Sequence, residues 1–444
     1  MKSARVARSN SKKFLGTPLG ELAEVGDGDH AKFPEEDDGT VPYLQARDFG
    51  GFVEPVSHAF VTQEYFEQNR RSEITANNVL FSIMGTVGRV GITAPAFTPC
   101  IANRAVGIIR PHSGTPASFL FAYLGSRIAR ALIAGYSSGG VQQRINLDLL
   151  RKLKVPTFSD RFVKAIDEAV HTAFRVRSQS MRRLETAESA VVEAVGLAKW
   201  TPEMPLSYCR KAKDVFAAER FDAEYYTPAK FSVLARLGAM PHAVISSYYM
   251  SMREMFDPSR EKGEVRNFDV TDALKPVLDD GMEPVAVGQL GSAKKVLRSG
   301  DVAISRLRSY LKEIALVRTS TPAVGSSEFI VLRKLHHTSE LSPETLMVFL
   351  RSLPVQIVLK YSQDGSNHPR FSDAELLAVP VPNVLLKMQQ RVDRLVNESL
   401  DARDTSVFLL ETTKRAVEVA IEDSEAHGVD FLHNAVASVK LAKV

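Results

Sequence analysis

The stretch SSGGVQQRINLDLLRKLKVPTF, Ser137–Phe158, has a second version later in the chain, SQDGSNHPRFSDAELLAVPVPN, Ser362–Asn383. In both, a glycine (Gly139, Gly365) precedes an arginine (Arg144, Arg370) by five positions. An apolar residue and a short amphipathic turn follow, and the exit is Val-Pro (Val155-Pro156, Val381-Pro382). Equivalent residues keep one offset, 144 against 370 and 156 against 382. A repeat this long in a chain of 444 residues predicts two similar halves.

Upstream of each copy the pattern is short and strand-like. Val41–Leu44, Val79–Met84, Val87–Thr93 and Ala105–Ile109 are apolar runs broken by Gly, Pro and Asn-Asn turns, and a helix is predicted over Ser118–Ile133 after Pro116. In the second half Gly300–Ser305 matches Asn77–Ser82, and Phe329–Arg333 matches Val106–Arg110. The start of that half, Val244–Asp272, does not read as strand. Repeated strands with diverged loops between them fit a pair of recognition modules with different targets.

Downstream of each copy the period changes. Ile166, Val170, Ala173, Met181, Leu184, Ala187, Val191 and Val195 recur at three- and four-residue steps, as do Met388, Val392, Leu395, Ser399, Ala402, Leu409, Thr413, Ala416 and Ala420. Each series predicts one helix, Asp160–Ala198 and Leu385–Asp423, about 55 Å long, with the seam of a coiled coil. The competing reading is a helix lying on its own globular domain. Thr201–Tyr208 carries two prolines and is the linker. Met1–Lys13 reads as a loose basic arm, and the residues past Glu425 as a short terminal helix. The chain therefore divides into a first module, 1–159; a long helix, 160–200; a second module, 201–383, with its linker at 201–216; a second long helix, 384–424; and a tail, 425–444.

Apolar content of 44% with 24% charge is that of a folded chain with a sizeable core in each half. The net charge of +4 decides little. Two cysteines, Cys100 and Cys209, predict a reducing compartment with no structural metal, and with no signal-peptide pattern and no membrane-spanning run the expected location is the cytoplasm.

No catalytic constellation stands out. GTVGRVG, Gly85–Gly91, lacks the Lys-Ser/Thr of a phosphate loop and reads as a turn in a strand pair. The acidic run Glu35–Asp38 reads as a solvated turn, and His30, His336 and His337 as loop histidines without metal-ligand spacing. What does concentrate at the turns is basic and amide chemistry: Arg89, Asn103, Arg104, Gln142, Gln143 and Arg144 in the first half, and Lys294, Lys295, Arg306, Arg308, Tyr310, Lys312, Asn367, His368 and Arg370 in the second. Taken singly, each is an ordinary surface side chain. Together they form a set able to reach base edges and phosphates. The run Ser305–Lys312, SRLRSYLK, places three bases around one aromatic at an expected hairpin. Because exposed loop charges contribute little to stability, replacing Arg306, Arg308 and Lys312 together by alanine is expected to weaken binding by the second module and leave the fold intact.

The two Gly…Arg…Val-Pro stretches, the long helix after each, and RFDAEYY (Arg220–Tyr226) ahead of the second module resemble the specificity subunit of type I restriction–modification systems, over about Leu15–Asp423. The resemblance implies an α+β fold: two tandem β-rich target-recognition domains joined by two long antiparallel coiled-coil helices, with a pseudo-two-fold internal repeat. It also implies a non-catalytic subunit that reads a bipartite site on double-stranded DNA and assembles with two methyltransferase subunits and a translocase-nuclease subunit. S-adenosylmethionine, ATP and magnesium would belong to those partners, with no cofactor in this chain. A tandem-module adaptor of another phage-defence complex is the alternative.

Overall fold

The computed structural model describes residues 16–31, 39–55, 57, 59–85, 87–135, 144–307, 311–335, 340–365 and 368–441. Both copies of the repeated stretch do the same local work. Arg144 and Arg370 lie beside the end of a sheet strand, bridged to Met84 and Leu307, and Ile145 and Phe371 turn into the core. Asn146 and Ser372 then cap a one-turn helix, their side chains accepting from the backbone N–H groups of Asp148 (2.9 Å) and Glu375 (3.2 Å). The Val-Pro exits pair as short strands, Lys154–Pro156 with Gly16–Pro18 and Pro380–Pro382 with His242–Val244.

Two units result, one formed by Met1–Ser178 with Ala402–Val444, the other by Gln179–Asp401. The first is built on a five-stranded sheet in the spatial order Ala23–Asp27, Val106–Pro111, Val79–Ser82, Val90–Thr93, Gly51–Val53. The second repeats it as Tyr249–Met252, Phe329–Lys334, Val302–Ser305, Ile314–Arg318, Val277–Asp279. In each, only the last pair is parallel. The central strands are buried on both faces, as their continuous apolar runs dictate. Val79 and Phe81 face the helical side, while Leu80 faces a smaller sheet containing Val41–Leu44 and Cys100–Ala102. In the second unit Val302 and Ile304 point to the helices, and Ala303 to a second sheet that contains Glu264–Phe268, Lys294–Leu297 and Ala323–Gly325.

The long helices run Asp160–Ala194 and Val384–Glu422, and each unit contains half of each. In the first unit Phe162, Ile166, Val170 and Ala173 from the start of one helix share a core with Leu409, Ala416, Val417 and Ala420 from the end of the other. In the second, Ala187, Val191 and Val195 meet Leu385, Val392 and Val396. The pairing is antiparallel. The alternative of a helix lying on its own domain is also partly realised, since each half shares its unit's main core and buries a face wider than a coiled-coil seam.

Three expectations need correction. The run Ser118–Ile133 is two helices, Ala117–Gly125 and Arg127–Ala134, because the Ser126 side chain accepts from Ala129 N–H (3.2 Å) and starts a new helix. Met181 is exposed; Ser180 takes the buried place, paired with Ser399. Val244–Asp272 does contain strands, Tyr249–Met252, Met255–Phe256 and Glu264–Phe268. The tail is a helix, Glu425–Leu441, whose Val429 and Leu432 join the first unit's core. No single described helix is long and apolar enough to cross a membrane. The bent pair Ala117–Gly125 and Arg127–Ala134 passes on length and composition, and its apolar residues Leu120 to Leu124 are fully buried.

Candidate nucleic-acid interface

In the first unit three loops meet at one end of the main sheet. Ile83 N–H donates to Ala105 O (2.9 Å) and Ile145 N–H to Ile83 O (3.0 Å), so the turn at 103–105 and the segment starting at Arg144 flank the end of Val79–Ser82. The hairpin turn that follows that strand carries Arg89, whose N–H donates to Ser82 Oγ (2.8 Å). GTVGRVG is this turn, with Gly85 and Gly88 at positive φ. Arg89, Asn103, Arg104 and Arg144 are thus brought together. Asn103 spends its Oδ1 on Ala105 N–H (3.1 Å), and Arg89 donates to Arg47 O (3.0 Å). Arg104 and Arg144 are exposed and make no ion pair with the described residues. Gln142 and Gln143 lie outside the described residues, as do Met1–Lys13, Glu35–Asp38, His336 and His337.

Behind these bases stand carboxylates whose role the sequence did not disclose. Buried Asp27 pairs with His30 (2.6 Å) and Arg71 (3.0 Å), and buried Asp29 accepts from the Tyr65 hydroxyl and from Ala31 N–H (3.0 Å). Burial, with Asp29 alongside, pushes the Tyr43 hydroxyl up to about 12. Asp29 N–H donates to Ala102 O (2.6 Å), and a Cβ on Gly28 would lie 2.2 Å from Asn103 O, so only glycine lets this strand end press against the 103–105 turn.

The second unit's bases are differently placed. Lys295 is buried and donates to Met252 O (3.0 Å), and burial lowers its pKa. It belongs to the fold and leaves the candidate surface; Lys294 beside it is half-buried. Arg306 pairs with Asp373 (3.0 Å), tying the end of Val302–Ser305 to the capped short helix. Lys312, at φ 55°, pairs with Glu188 of the first long helix (3.2 Å). Arg306 and Lys312 are therefore anchors, and the expectation that their joint replacement with Arg308 spares the fold is corrected: losing Arg306 or Lys312 strips a counter-charge from a partly buried carboxylate, Asp373 or Glu188. Arg370 and His368 are exposed, Arg370 forked onto Glu328. Arg308, Tyr310 and Asn367 lie outside the described residues. No group of three metal-binding side chains gathers among the described residues.

RFDAEYY clasps the linker to the second unit. Tyr226 stacks on Phe231 (centroids 6.2 Å apart), Arg220 forks onto Asp222 (2.7 and 2.8 Å) and donates to Gln363 O (2.8 Å), and Lys230 lies 3.4 Å from the Tyr225 ring centroid while donating to Tyr361 O (3.3 Å). Burial pushes Lys230 down to about 8. Its folded pKa thus lies below the unfolded value, the unfolded chain binds the proton more tightly, and stability rises as pH climbs from about 8 to 10.5. Lys230→Met is expected to remove a rise of about 3 kcal/mol over that range. Denaturant unfolding of both proteins at pH 7 and pH 10 checks this, and parallel pH dependences would refute it.

Residues 16–157 match the family model of the type I restriction modification DNA specificity domain. No curated protein matches the chain. Among solved structures, the S subunit of the type-I restriction-modification system from M. genitalium is 14% identical, with 90% of this chain and 96% of that one covered and a TM-score of 0.37. The HsdS subunit from Thermoanaerobacter tengcongensis is 15% identical, with 90% and 96% covered and a TM-score of 0.28. Residues 16–157, which make up most of the first unit, are thus similar to the type I restriction modification DNA specificity domain, and the second unit repeats that unit's strand order and its Arg–apolar–cap–Val-Pro stretch.

Proposed function

We propose that each unit reads one half of a bipartite duplex site with the sheet end described above, and that the chain lends this specificity to partner subunits without carrying out chemistry itself. The observation behind this reading is the duplication: one scaffold used twice, with loop chemistry that differs between the copies. The partners are two methyltransferase subunits and a translocase-nuclease subunit, which would carry S-adenosylmethionine, ATP and magnesium, acting on DNA in the cytoplasm. In the first unit the contacts are Arg89, Arg104 and Arg144, with Gln142 and Gln143; in the second they are Lys294, His368 and Arg370, with Arg308, Tyr310 and Asn367.

Arg104 and Arg144 supply the plainest test. Replacing both by alanine is expected to weaken duplex binding by the complex and to lower the slope of log affinity against log salt by about 2, one phosphate's counterions for each charge. The melting transition should stay within about 0.5 kcal/mol, because both side chains are exposed. An unchanged salt slope would remove this surface from the interface, and binding insensitive to salt in the unmodified complex would favour a protein-scaffolding adaptor.

A further inference from the structure

Arg144 and Arg370 occupy the same place in their units, yet among the described residues only the second is held by a side chain. Glu328 sits in the turn before Phe329–Lys334, at the position that Ala105 fills in the first unit; Arg306 N–H donates to its carbonyl (3.1 Å) as Ile83 N–H does to that of Ala105 (2.9 Å). The Glu328 carboxylate takes Arg370 side-on, from Nε at 2.9 Å and Nη2 at 2.7 Å, while Nη1 donates to His368 O (2.8 Å). The backbone is locked as well. Arg370 and Asp364 exchange both N–H···O bonds (3.0 and 2.9 Å), and Gly365 and His368 have φ of 98° and 57°. A histidine in that region is strained, a cost that these two bonds help to sustain.

A guanidinium has five N–H donors, and three are used here. One hydrogen remains on each Nη nitrogen. That outward edge, fixed in direction, matches the O6 and N7 acceptors of guanine. A carboxylate forked onto an arginine cancels most of its attraction for a phosphate but leaves its donor geometry intact, so this arrangement favours a neutral base edge over the backbone. We propose that Arg370 reads a guanine in the half-site of the second unit and that Glu328 is its positioning residue. The inference rests on the DNA-reading function proposed above.

The test selects duplexes from a randomised pool with the full chain complexed to its methyltransferase subunits, at two salt concentrations. The unmodified complex should return two tracts, one holding an invariant G·C pair. Arg370→Lys keeps the charge but not the fork, and should lose preference at that pair by about tenfold or more while the other tract stays unchanged. Glu328→Gln should relax the same pair and steepen the salt slope by up to about one, since it frees a charge for the backbone. The two variants approach the contact from opposite partners, so misfolding of one leaves the other to decide. A tract without a required G·C pair, or equal weakening of all sequences by Arg370→Lys, would overturn the guanine assignment while leaving the DNA-reading function standing. A complex that selects no bipartite motif would overturn both.

Discussion

Replacing Glu188 by alanine is expected to destabilise the second unit by about 3 kcal/mol, the lower end of the range for breaking a buried ion pair. Arg351 is the reason. The residue is 8% exposed, and its guanidinium donates to the carbonyls of Lys312 and Ile314, both at 2.9 Å, so it pins the far end of the SRLRSYLK run to the core. Burial lowers its pKa, the mark of a charge held where water would hold it better. The only described carboxylate that pairs with it is Glu188, whose Oε1 lies 3.4 Å from Nε and whose other oxygen takes Lys312. Without Glu188 two cations remain against the sheet with no counter-charge, and the cost stays below the top of the range because Glu188 keeps some exposure. Denaturant unfolding should show the transition of the second unit shifted and that of the first unmoved. Adding Arg351→Met to Glu188→Ala should recover part of the loss, because the uncompensated charge goes with it. A single variant within about 0.5 kcal/mol of the parent would mean that water already compensates Arg351.

The same cluster shows where the sequence was readable and where it was not. The repeat was legible because its parts are local: an arginine, a buried apolar neighbour, a capping side chain and a Val-Pro exit lie within a dozen residues of one another. The strands Val79–Ser82 and Val302–Ser305 were legible because continuous apolar runs buried on both faces leave no other reading. Tyr249–Met252 and Glu264–Phe268 were missed because their side chains are mixed, and their strand character comes from partners far along the chain, Phe329–Lys334 and Ala323–Gly325. Ser126 splits a helix whose apolar pattern runs on unbroken, a case of capping chemistry overriding period. For the basic residues the difficulty was distance. Lys312 meets Glu188, Arg306 meets Asp373 and Arg370 meets Glu328 only after folding, and no local pattern separates a paired arginine from one left for DNA. One signal was available: aligning the two halves puts Glu328 opposite Ala105, a change of charge at an otherwise repeated turn.

Deleting one heptad from each long helix at facing levels, Ser178–Leu184 and Leu395–Asp401, is expected to abolish methylation at the original site while leaving both units folded. Ser180 faces Ser399 (3.2 Å) and Arg183 faces Glu398 (3.1 Å), so the two deletions remove both partners of each pair and keep the antiparallel register on either side. Seven residues are about 10 Å of helix, or about three base pairs of duplex, and three base pairs also turn the DNA by roughly a third of its helical repeat, whereas seven residues turn an α-helix by only about 20° from a whole number of turns. If the helices set the distance between the two reading surfaces, the half-sites of the original motif are then out of reach in both length and phase. Any motif recovered by mapping methylated DNA should have a shorter gap between unchanged half-sites. Leu184→Pro attacks the same device differently, kinking the helix at a cost of about 3 kcal/mol or more where Leu184 packs against the second unit's core, and should reduce recognition of the joined motif more than binding to either half-site alone. A doubly deleted chain that still methylates the original motif with its gap unchanged would show that something other than the paired helices measures the site.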